Sequence, residues 1–177
     1  IIYRVNAGKL PDGHWLADRR MGGRLLGEAC HFLDTCSAIV GLAPKVITTL
    51  TSGRGELLLD ENFTLLVGYP DGSQATIIYA SDSSMRFGKE RLEILGRNQT
   101  IVIRDFQRLE VDGPSGHSSR KYRPADKGHR REFEIFSEVV RGKRDSAEIS
   151  QTAFETTRAM IAAVESAMTG NTVRVDI

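Results

Sequence analysis

One histidine stands on the polar side of a segment that otherwise has the pattern of a core-facing helix. The segment runs from Gly22 to Asp34 and reads GGRLLGEACHFLD. At about 100° per residue, the apolar residues of this region fall within one arc, as packing on a core requires. They are Leu25, Leu26, Ala29, Phe32, Leu33, Cys36, Ile39 and Val40. His31 points almost the opposite way, so its imidazole is a candidate for proton transfer.

The neighbours of His31 along the helix can support such chemistry. Gly27, one turn back, and Ala38, two turns on, leave the surface beside the imidazole bare, so that a ligand can come close. Glu28 can orient the ring and favour its charged form. The alternative is a solvated polar face, on which Glu28 pairs with Arg24 at the i,i+4 spacing.

Further candidate binding residues lie in a loop and at the start of a later helix. The loop that follows the first predicted strand offers an amide, an ammonium group and aromatic rings, a set that suits a polyhydroxyl ligand. These residues are Asn6, Lys9, His14 and Trp15. Lys127 and His129, at the start of a predicted helix, can face an anion. The alternative in both places is an ordinary solvated surface, with Trp15 half-buried to hold the loop.

Composition excludes several classes of partner. The 24 Lys and Arg residues balance the 23 Asp and Glu residues, so neither nucleic acid nor an acidic membrane surface is indicated, and a small molecule is favoured. The apolar runs are far shorter than the roughly 20 residues of a membrane span. Cys30 and Cys36 are too far apart along one helix to form a disulfide, which fits a reducing cytoplasm. The histidines have no ligand-like spacing, so no zinc site is predicted.

No nucleotide-binding motif is complete in the sequence. Gly53-Arg54-Gly55 has neither a third glycine nor a strand–turn–helix context, and no P-loop or GxSxG motif occurs. The chain is therefore not expected to bind the pyrophosphate of a dinucleotide in the usual way.

The elements that must position these residues follow the order strand, helix, block of strands, two helices, strand. A strand is predicted over 1–5, and one continuous helix from the glycine pair to about residue 40, ended by Gly41 and Pro44. Strands are predicted over 46–50, 63–69, 75–81, 92–95, 101–103 and 109–111. Residues 112–126 are expected to be a loop, followed by helices over about 128–141 and 147–168 and a last strand over 173–175.

This order predicts a single α+β domain over residues 1–177, with helices on one face of a mixed, largely antiparallel sheet. The runs FTLLV and ATIIY are apolar at both odd and even positions, so both faces of the sheet centre are expected to be covered. One layer of helices covers only one of these faces.

Several short segments, in this order and spacing, resemble the C-terminal domain of the Gfo/Idh/MocA oxidoreductases over almost the whole chain. They are VNAGKLP at 5–11, HW at 14–15, GG at 22–23, GEACHFLD at 27–34, DGS at 71–73, KERLE at 89–93 and KGH at 127–129. The chain is most similar to the branch in which this unit can be joined to a zinc-type alcohol dehydrogenase module.

The resemblance implies a two-domain enzyme whose second domain has an open-faced sheet like that of glyceraldehyde-3-phosphate dehydrogenase. NAD or NADP is then bound by an N-terminal Rossmann domain that this chain lacks. The present domain supplies the pocket for a sugar, nucleotide sugar or cyclitol and a sheet face for a homodimer. His31 matches the family's proton-transfer histidine. The family's catalytic lysine lies in the Rossmann domain, so this chain alone is expected to be inactive.

One position departs from the family pattern. Many members have an aspartate four residues before the histidine, where this chain has Gly27, and the nearest carboxylate, Glu28, is displaced by about 60° around the helix. Two hypotheses follow. The chain is the substrate-binding half of an NAD(P)-dependent oxidoreductase, with Arg24 and Gly27 beside His31, or a non-catalytic assembly or ligand-binding module of the same fold.

Overall fold

A computed structural model describes residues 1–53 and 56–176, so Arg54 and Gly55 of the incomplete glycine motif lie outside the described residues. Within these ranges the chain forms nine strands and four α-helices. The strands are β1 (Ile2–Asn6), β2 (Val46–Thr51), β3 (Phe63–Gly68), β4 (Gln74–Ala80), β5 (Glu90–Gly96), β6 (Gln99–Arg104), β7 (Arg108–Gly113), β8 (Gly116–Lys121) and β9 (Val173–Arg174). The helices are α1 (Gly23–Gly27), α2 (Ala29–Val40), α3 (His129–Val140) and α4 (Ala147–Thr169).

All nine strands belong to one sheet, in the order β8-β7-β6-β5-β1-β4-β3-β2-β9. β1 runs parallel to β4, and every other pair of neighbours is antiparallel. This arrangement confirms the predicted α+β class with a mixed, largely antiparallel sheet.

The helices α1, α2 and α4 cover one face of the sheet and form the core with it. The core side chains come from alternate positions of the strands, as the two-residue period of a strand requires. On the strands they include Tyr3, Val5, Ile47, Leu65 and Ile77, and the helices contribute Leu33, Cys36, Ala159 and Ala163. Buried hydrogen bonds fix α4 to β2, because the Thr49 N–H donates to Ser166 Oγ at 2.9 Å and the Thr49 hydroxyl donates to the Ala163 carbonyl at 2.8 Å.

The opposite face of the sheet, here called the open face, carries the intervening residues. Four of its apolar side chains remain 38 to 60% exposed, namely Ile2, Ile78, Leu66 and Leu50. The sheet centre is therefore apolar on both faces, but the described residues cover only one of them, so the predicted cover of the second face is not seen within this chain.

The prediction of one helix from the glycine pair to Val40 is wrong, because the helix is interrupted at Glu28, where φ is −127° and ψ is −37°. α1 is a short helix that begins at Gly23, and both Gly22 and Gly23 have a positive φ. At Gly23, φ is +61° and an added Cβ would lie 1.7 Å from the Leu58 carbonyl oxygen. His31 consequently stands in the first turn of a new helix, α2.

The prediction of a loop over 112–126 is also wrong in part. Residues Gly116–Lys121 form the edge strand β8, which pairs with β7. Every residue of β8 is exposed, so the strand has no alternation of apolar and polar residues and is held by backbone hydrogen bonds.

α3 differs from the other helices in its packing. None of its described residues is buried, and Phe133, Phe136 and Val140 are 66 to 73% exposed. These three residues share one side of the helix, which therefore presents an uncovered apolar strip.

Candidate functional site

A buried arginine links α1 to the sheet beside the helix break. Arg24 is 3% exposed, and its Nη1 donates a hydrogen bond of 2.8 Å to the Tyr79 hydroxyl on β4. The Tyr79 hydroxyl in turn donates to Glu28 Oε2. Glu28 also lies 3.8 Å from Arg24 Nη1. The three side chains form one polar cluster, the Arg24 cluster, set into the core.

The aromatic surroundings of Tyr79 hold this cluster in place. The Tyr79 ring stacks on Phe63 at a centroid distance of 4.7 Å and contacts Phe32 at 6.0 Å. Burial, together with the hydrogen bond to Glu28, raises the pKa of Tyr79 well above its ordinary value. Tyr79 therefore keeps its proton and donates a hydrogen bond to the Glu28 carboxylate.

One donor of the Arg24 cluster has no hydrogen-bond partner among residues 1–53 and 56–176. Arg24 Nε is buried and makes no hydrogen bond with any described residue, although Glu61 Oε2 lies 4.0 Å away. Both side chains line a cavity of about 140 Å³ whose other walls are apolar, formed by Leu10, Leu16, Ala17 and Leu59. A hydroxyl group fits between them chemically, because it can accept from the guanidinium and donate to the carboxylate.

The surface at Gly27 is not bare. A Cβ at this position would lie 2.4 Å from Leu16 Cδ2 and 3.4 Å from Cη2 of Trp15, so the 15–17 turn fills the space predicted for a ligand. His14 Nδ1 accepts from the Leu16 N–H at 3.2 Å and begins that turn. The His14 and Trp15 rings stack at 5.8 Å, and Trp15 remains 53% exposed.

His31 is exposed and lines a cleft of about 670 Å³ between α2, α3 and α4. The cleft is also lined by Cys30, Asp34, Ala38, Ile135, Arg144, Ile149, Thr152, Ala153, Thr156 and Thr157. The Thr156 hydroxyl holds the Asp34 carboxylate at 3.0 Å. No described residue makes a hydrogen bond to the His31 ring, and the Glu28 carboxylate is bound to Tyr79 instead. The imidazole is thus open to the cleft.

The predicted residues of the first loop separate in the structure. Asn6 is 1% exposed, and its amide donates to the carbonyls of Ser84 and Phe87 at 2.8 and 2.9 Å, so these donors stabilise a turn. Its Oδ1 is buried without a partner among the described residues. Lys9 lines a cavity of about 410 Å³ that also contains Glu61, which brings it near the Arg24 cluster.

Lys127 and His129 lie apart from the Arg24 cluster. Lys127 donates to Glu90 Oε1 at 3.0 Å, and Glu90 also accepts from the Tyr3 hydroxyl at 2.7 Å. His129 is 76% exposed, with Nδ1 3.7 Å from Glu132. Both side chains pair with acidic residues of the chain in this structure.

The structure therefore brings Arg24, Glu28, Gly27, His14 and Trp15 into one region, with Lys9 at its edge. Sequence reasoning missed two members of the region, Tyr79 and Glu61. Tyr79 occupies a core position of a strand, and only the polar group at its tip distinguishes it from the apolar residues beside it.

Two further properties bear on function. Among residues 1–53 and 56–176, no three His, Cys, Asp or Glu side chains gather closely enough to hold a metal ion. Over the same residues, no helix has the length and apolar character needed to cross a membrane.

Known proteins similar to this chain share its fold. The family model for the C-terminal alpha/beta domain of an oxidoreductase family matches residues 3–175. An NAD binding oxidoreductase from Klebsiella pneumoniae has a TM-score of 0.79 at 17% identity, over 99% of this chain and 58% of that chain. An aldose-aldose oxidoreductase from Caulobacter crescentus, complexed with glycerol, has a TM-score of 0.78 at 16% identity, over 98% and 55%.

An oxidoreductase from Agrobacterium radiobacter, in complex with NAD+, L-tartaric acid and magnesium, has a TM-score of 0.76 at 18% identity, over 98% of this chain and 56% of that one. No curated protein matches the chain. The chain thus spans little more than half the length of these solved structures, and at such identities the likeness is one of fold.

Proposed function

Because this chain belongs to the Gfo/Idh/MocA oxidoreductase family, as a C-terminal alpha/beta domain, we propose that it is the substrate-binding and oligomerisation domain of an NAD(P)-dependent dehydrogenase or reductase. The substrate is a sugar, nucleotide sugar or cyclitol. The branch is the one that can be fused to a zinc-type alcohol dehydrogenase module. The free thiols of Cys30 and Cys36 fit a protein of the cytoplasm.

The dinucleotide belongs to a separate N-terminal Rossmann domain in this proposal. The described residues do not fit its pyrophosphate, because β1 leads into 3-10 turns at Trp15–Ala17 and Arg19–Met21 rather than through a glycine-rich turn into a helix. The chain alone is accordingly expected to be inactive.

The observation that carries the substrate class is the buried Arg24 Nε, which lacks a hydrogen-bond partner in the described part of the chain and lies 4.0 Å from Glu61 Oε2. Buried polar groups nearly always have a hydrogen-bond partner, and a hydroxyl group satisfies both side chains at once. A polyol offers such a group together with an aliphatic face that can rest on the exposed ring of Trp15. The glycerol complex of the Caulobacter crescentus neighbour agrees with this class.

The binding test uses D-glucose, UDP-glucose and myo-inositol as probes in NMR titrations of this chain. At least one probe is expected to shift signals of α1 and the 15–17 turn. Glu61→Ala is expected to weaken that binding about tenfold or more, since a hydrogen bond to a charged group is lost. Glu165→Ala, on the exposed side of α4, is the matched control and should bind normally. If no probe binds, or both variants bind as the parent chain does, the substrate class is wrong.

We assign His31 the exchange of a proton with the substrate hydroxyl, because its ring is exposed in the cleft and is not hydrogen-bonded by a described residue. In the enzyme joined to its Rossmann domain, His31→Ala is expected to lower kcat by about 100-fold. His117→Ala, on the exposed edge strand β8, should leave kcat unchanged. Unchanged turnover in a folded His31→Ala enzyme would exclude this role.

A specific observation favours the second candidate, a non-catalytic assembly or ligand-binding module. The carboxylate nearest to His31, that of Glu28, is bound to Tyr79, and the space at Gly27 is filled by Leu16. If the chain self-associates and the complete protein shows no turnover with any probe, this second function is the correct one.

A further inference from the structure

The turn between β6 and β7 holds a phenylalanine in a strained backbone conformation. Asp105 and Phe106 have φ values of +50° and +53°, in the left-handed region that residues with bulky side chains rarely adopt. Such strain persists where surrounding contacts impose it, and it is commonest at functional sites. Here the Gln107 N–H donates to the Arg104 carbonyl at 2.9 Å, and the Asp126 N–H donates to the Phe106 carbonyl at 3.3 Å. These contacts hold Phe106 at the edge of a cavity.

This cavity, here called the ring cavity, has a volume of about 240 Å³. Besides Phe106 it is lined by Ile103, Leu109, Tyr122, Arg108 and Asp126. The volume is below the roughly 300 to 1,000 Å³ of pockets for drug-sized ligands, so the cavity suits one ring system rather than a whole ligand. Aromatic and aliphatic walls suit the faces of a planar ring.

Polar groups of the ring cavity can bind the edge of such a ring. Asp126 Oδ1 accepts from the Gly128 N–H at 3.0 Å, and a carboxylate has further lone pairs for the N–H groups of a ligand. The Tyr122 hydroxyl makes no hydrogen bond with a described residue and can donate or accept. A nucleobase has apolar faces that stack on aromatic side chains and an edge of donors and acceptors, so it matches this cavity.

A lysine beside the ring cavity is placed for the phosphate groups of a nucleotide. Lys127 Nζ lies 5.4 Å from the centroid of the Phe106 ring and donates a hydrogen bond of 3.0 Å to the buried Glu90. An ammonium group has three N–H donors, and this side chain is 43% exposed, so its other donors can reach a ligand. Lysine binds phosphate as a point charge. A phosphate attached to a base in the ring cavity would therefore meet Lys127.

The strand register places this lysine in line with the Arg24 cluster. Tyr79 on β4 lies opposite Val5 on β1, and Val5 lies opposite Glu90 on β5, so the three side chains share one face of the sheet. Neighbouring strands are about 4.8 Å apart, which separates the backbones of Tyr79 and Glu90 by about 10 Å. The ring cavity lies further in the same direction, because Ile103 and Leu109 belong to β6 and β7.

We propose that the ring cavity binds the base of a nucleotide sugar and that Lys127 binds its phosphate groups. This inference rests on the proposed function and selects the nucleotide sugar from its substrate classes. Across the sheet, the hydroxyl site at Arg24 and Glu61 comes first, the cation second and the ring cavity third. The sugar, diphosphate and base of a nucleotide sugar follow one another in the same order.

A dinucleotide cofactor also carries bases and phosphate groups, so the source of the nucleotide needs its own probe. The proposed function assigns the dinucleotide to a separate Rossmann domain. The ring cavity is therefore assigned to the substrate, and NAD+ is expected to bind it more weakly than the best nucleoside diphosphate does.

The binding test compares UDP, CDP, ADP and GDP with D-glucose in NMR titrations of this chain. At least one diphosphate is expected to shift signals of Phe106, Tyr122 and Lys127 and to bind at least about tenfold more tightly than D-glucose, because it adds a charged contact and a stacked ring. The glucose conjugate of that diphosphate should shift signals of the ring cavity and of the 15–17 turn together.

Two variants disturb the site in different ways. Lys127→Met removes the cation, and Leu109→Trp fills the ring cavity while Lys127 stays in place. Each is expected to weaken binding of the diphosphate about tenfold or more and to leave binding of D-glucose unchanged. Lys143→Met, at an exposed lysine between α3 and α4, is the matched control. Because the two variants differ in their effect on Glu90, a loss common to both does not come from its unpaired carboxylate.

The outcomes separate this site from the proposed function. If no diphosphate binds more tightly than D-glucose, or if both variants bind it as the parent chain does, the nucleotide site is wrong and the polyol site still stands. If NAD+ binds the ring cavity more tightly than every diphosphate, the assignment to the substrate is wrong. Diphosphate shifts at the ring cavity, with no shift of α1 by any probe, would support the nucleotide site and contradict the polyol site.

Discussion

Removal of one oxygen atom tests whether the Arg24 cluster stabilises the fold. In Tyr79→Phe the ring can keep its stacking on Phe63 at 4.7 Å, but the hydroxyl that joins Arg24 to Glu28 is lost. Glu28 is 33% exposed in its side chain and can recover a hydrogen bond from water, whereas Arg24 is 3% exposed and cannot. The variant therefore leaves Arg24 Nη1 as a second buried donor without a close partner, beside Nε.

The magnitude follows from this asymmetry. A hydrogen bond to a charged group contributes about 1.5 to 3 kcal/mol, and a buried donor left unpaired costs a similar amount. We expect the free energy of unfolding of Tyr79→Phe to fall by about 2 to 3 kcal/mol. For a domain of this size each kcal/mol lowers Tm by about 2 to 4 °C, so Tm should fall by about 4 to 12 °C.

Urea denaturation followed by circular dichroism measures this difference. The matched control is Tyr122→Phe, because Tyr122 is 37% exposed and its hydroxyl makes no hydrogen bond with a described residue. The free energy of unfolding of this control should stay within about 0.5 kcal/mol of that of the parent chain. If Tyr79→Phe is equally neutral, or if the two variants lose the same stability, the Arg24 cluster is not the stabilising element described above.

Two further predictions concern backbone geometry and pH. The free energy of unfolding of Gly23→Ala is expected to fall by more than about 3 kcal/mol, because the new Cβ would lie 1.7 Å from the Leu58 carbonyl oxygen at a φ of +61°. In Gly41→Ala, where φ is +79° and no described atom lies within 4 Å, it should fall by only about 1 to 2 kcal/mol. Equal losses of the two variants in thermal melts would contradict the steric cause. Burial raises the pKa of the Cys36 thiol from 9.0 to about 12, so the folded state keeps a proton that the unfolded chain releases. Its contribution to stability is present below pH 9 and is lost at about 1.4 kcal/mol per pH unit as the pH rises towards 12. The free energy of unfolding of Cys36→Ala, measured by urea denaturation at several pH values, should accordingly decline less steeply with pH in this window. The same decline in the variant and the parent chain would refute the assignment.

The sequence predicts the parts of this fold that depend on burial. Strands such as β3 and β4 alternate or continue in apolar residues because they pack against helices, and α4 repeats its apolar residues at helical spacing. β8 has no such signal, since all its side chains are in water. The break at Glu28 is equally hidden, because the apolar arc continues through it.

The candidate site was predictable only where it depends on neighbours in sequence. The i,i+4 spacing of Arg24 and Glu28 indicates their ion pair, and both side chains do meet, at 3.8 Å. Their link through Tyr79 depends on a residue 51 positions beyond Glu28, which no local pattern indicates. Glu61 reaches Arg24 for the same tertiary reason.

Gly27 shows how the structure changes the approach to His31. From the sequence, this glycine leaves room for a ligand or marks a lost carboxylate. In the structure it leaves room for Leu16, which is 2% exposed, so the energetic cost of a glycine in a helix is offset by packing of the 15–17 turn. The space beside Gly27 is therefore filled by the 15–17 turn. The His31 ring lines the cleft that α2 forms with α3 and α4, so the position of these two C-terminal helices affects access to the proposed proton-transfer residue.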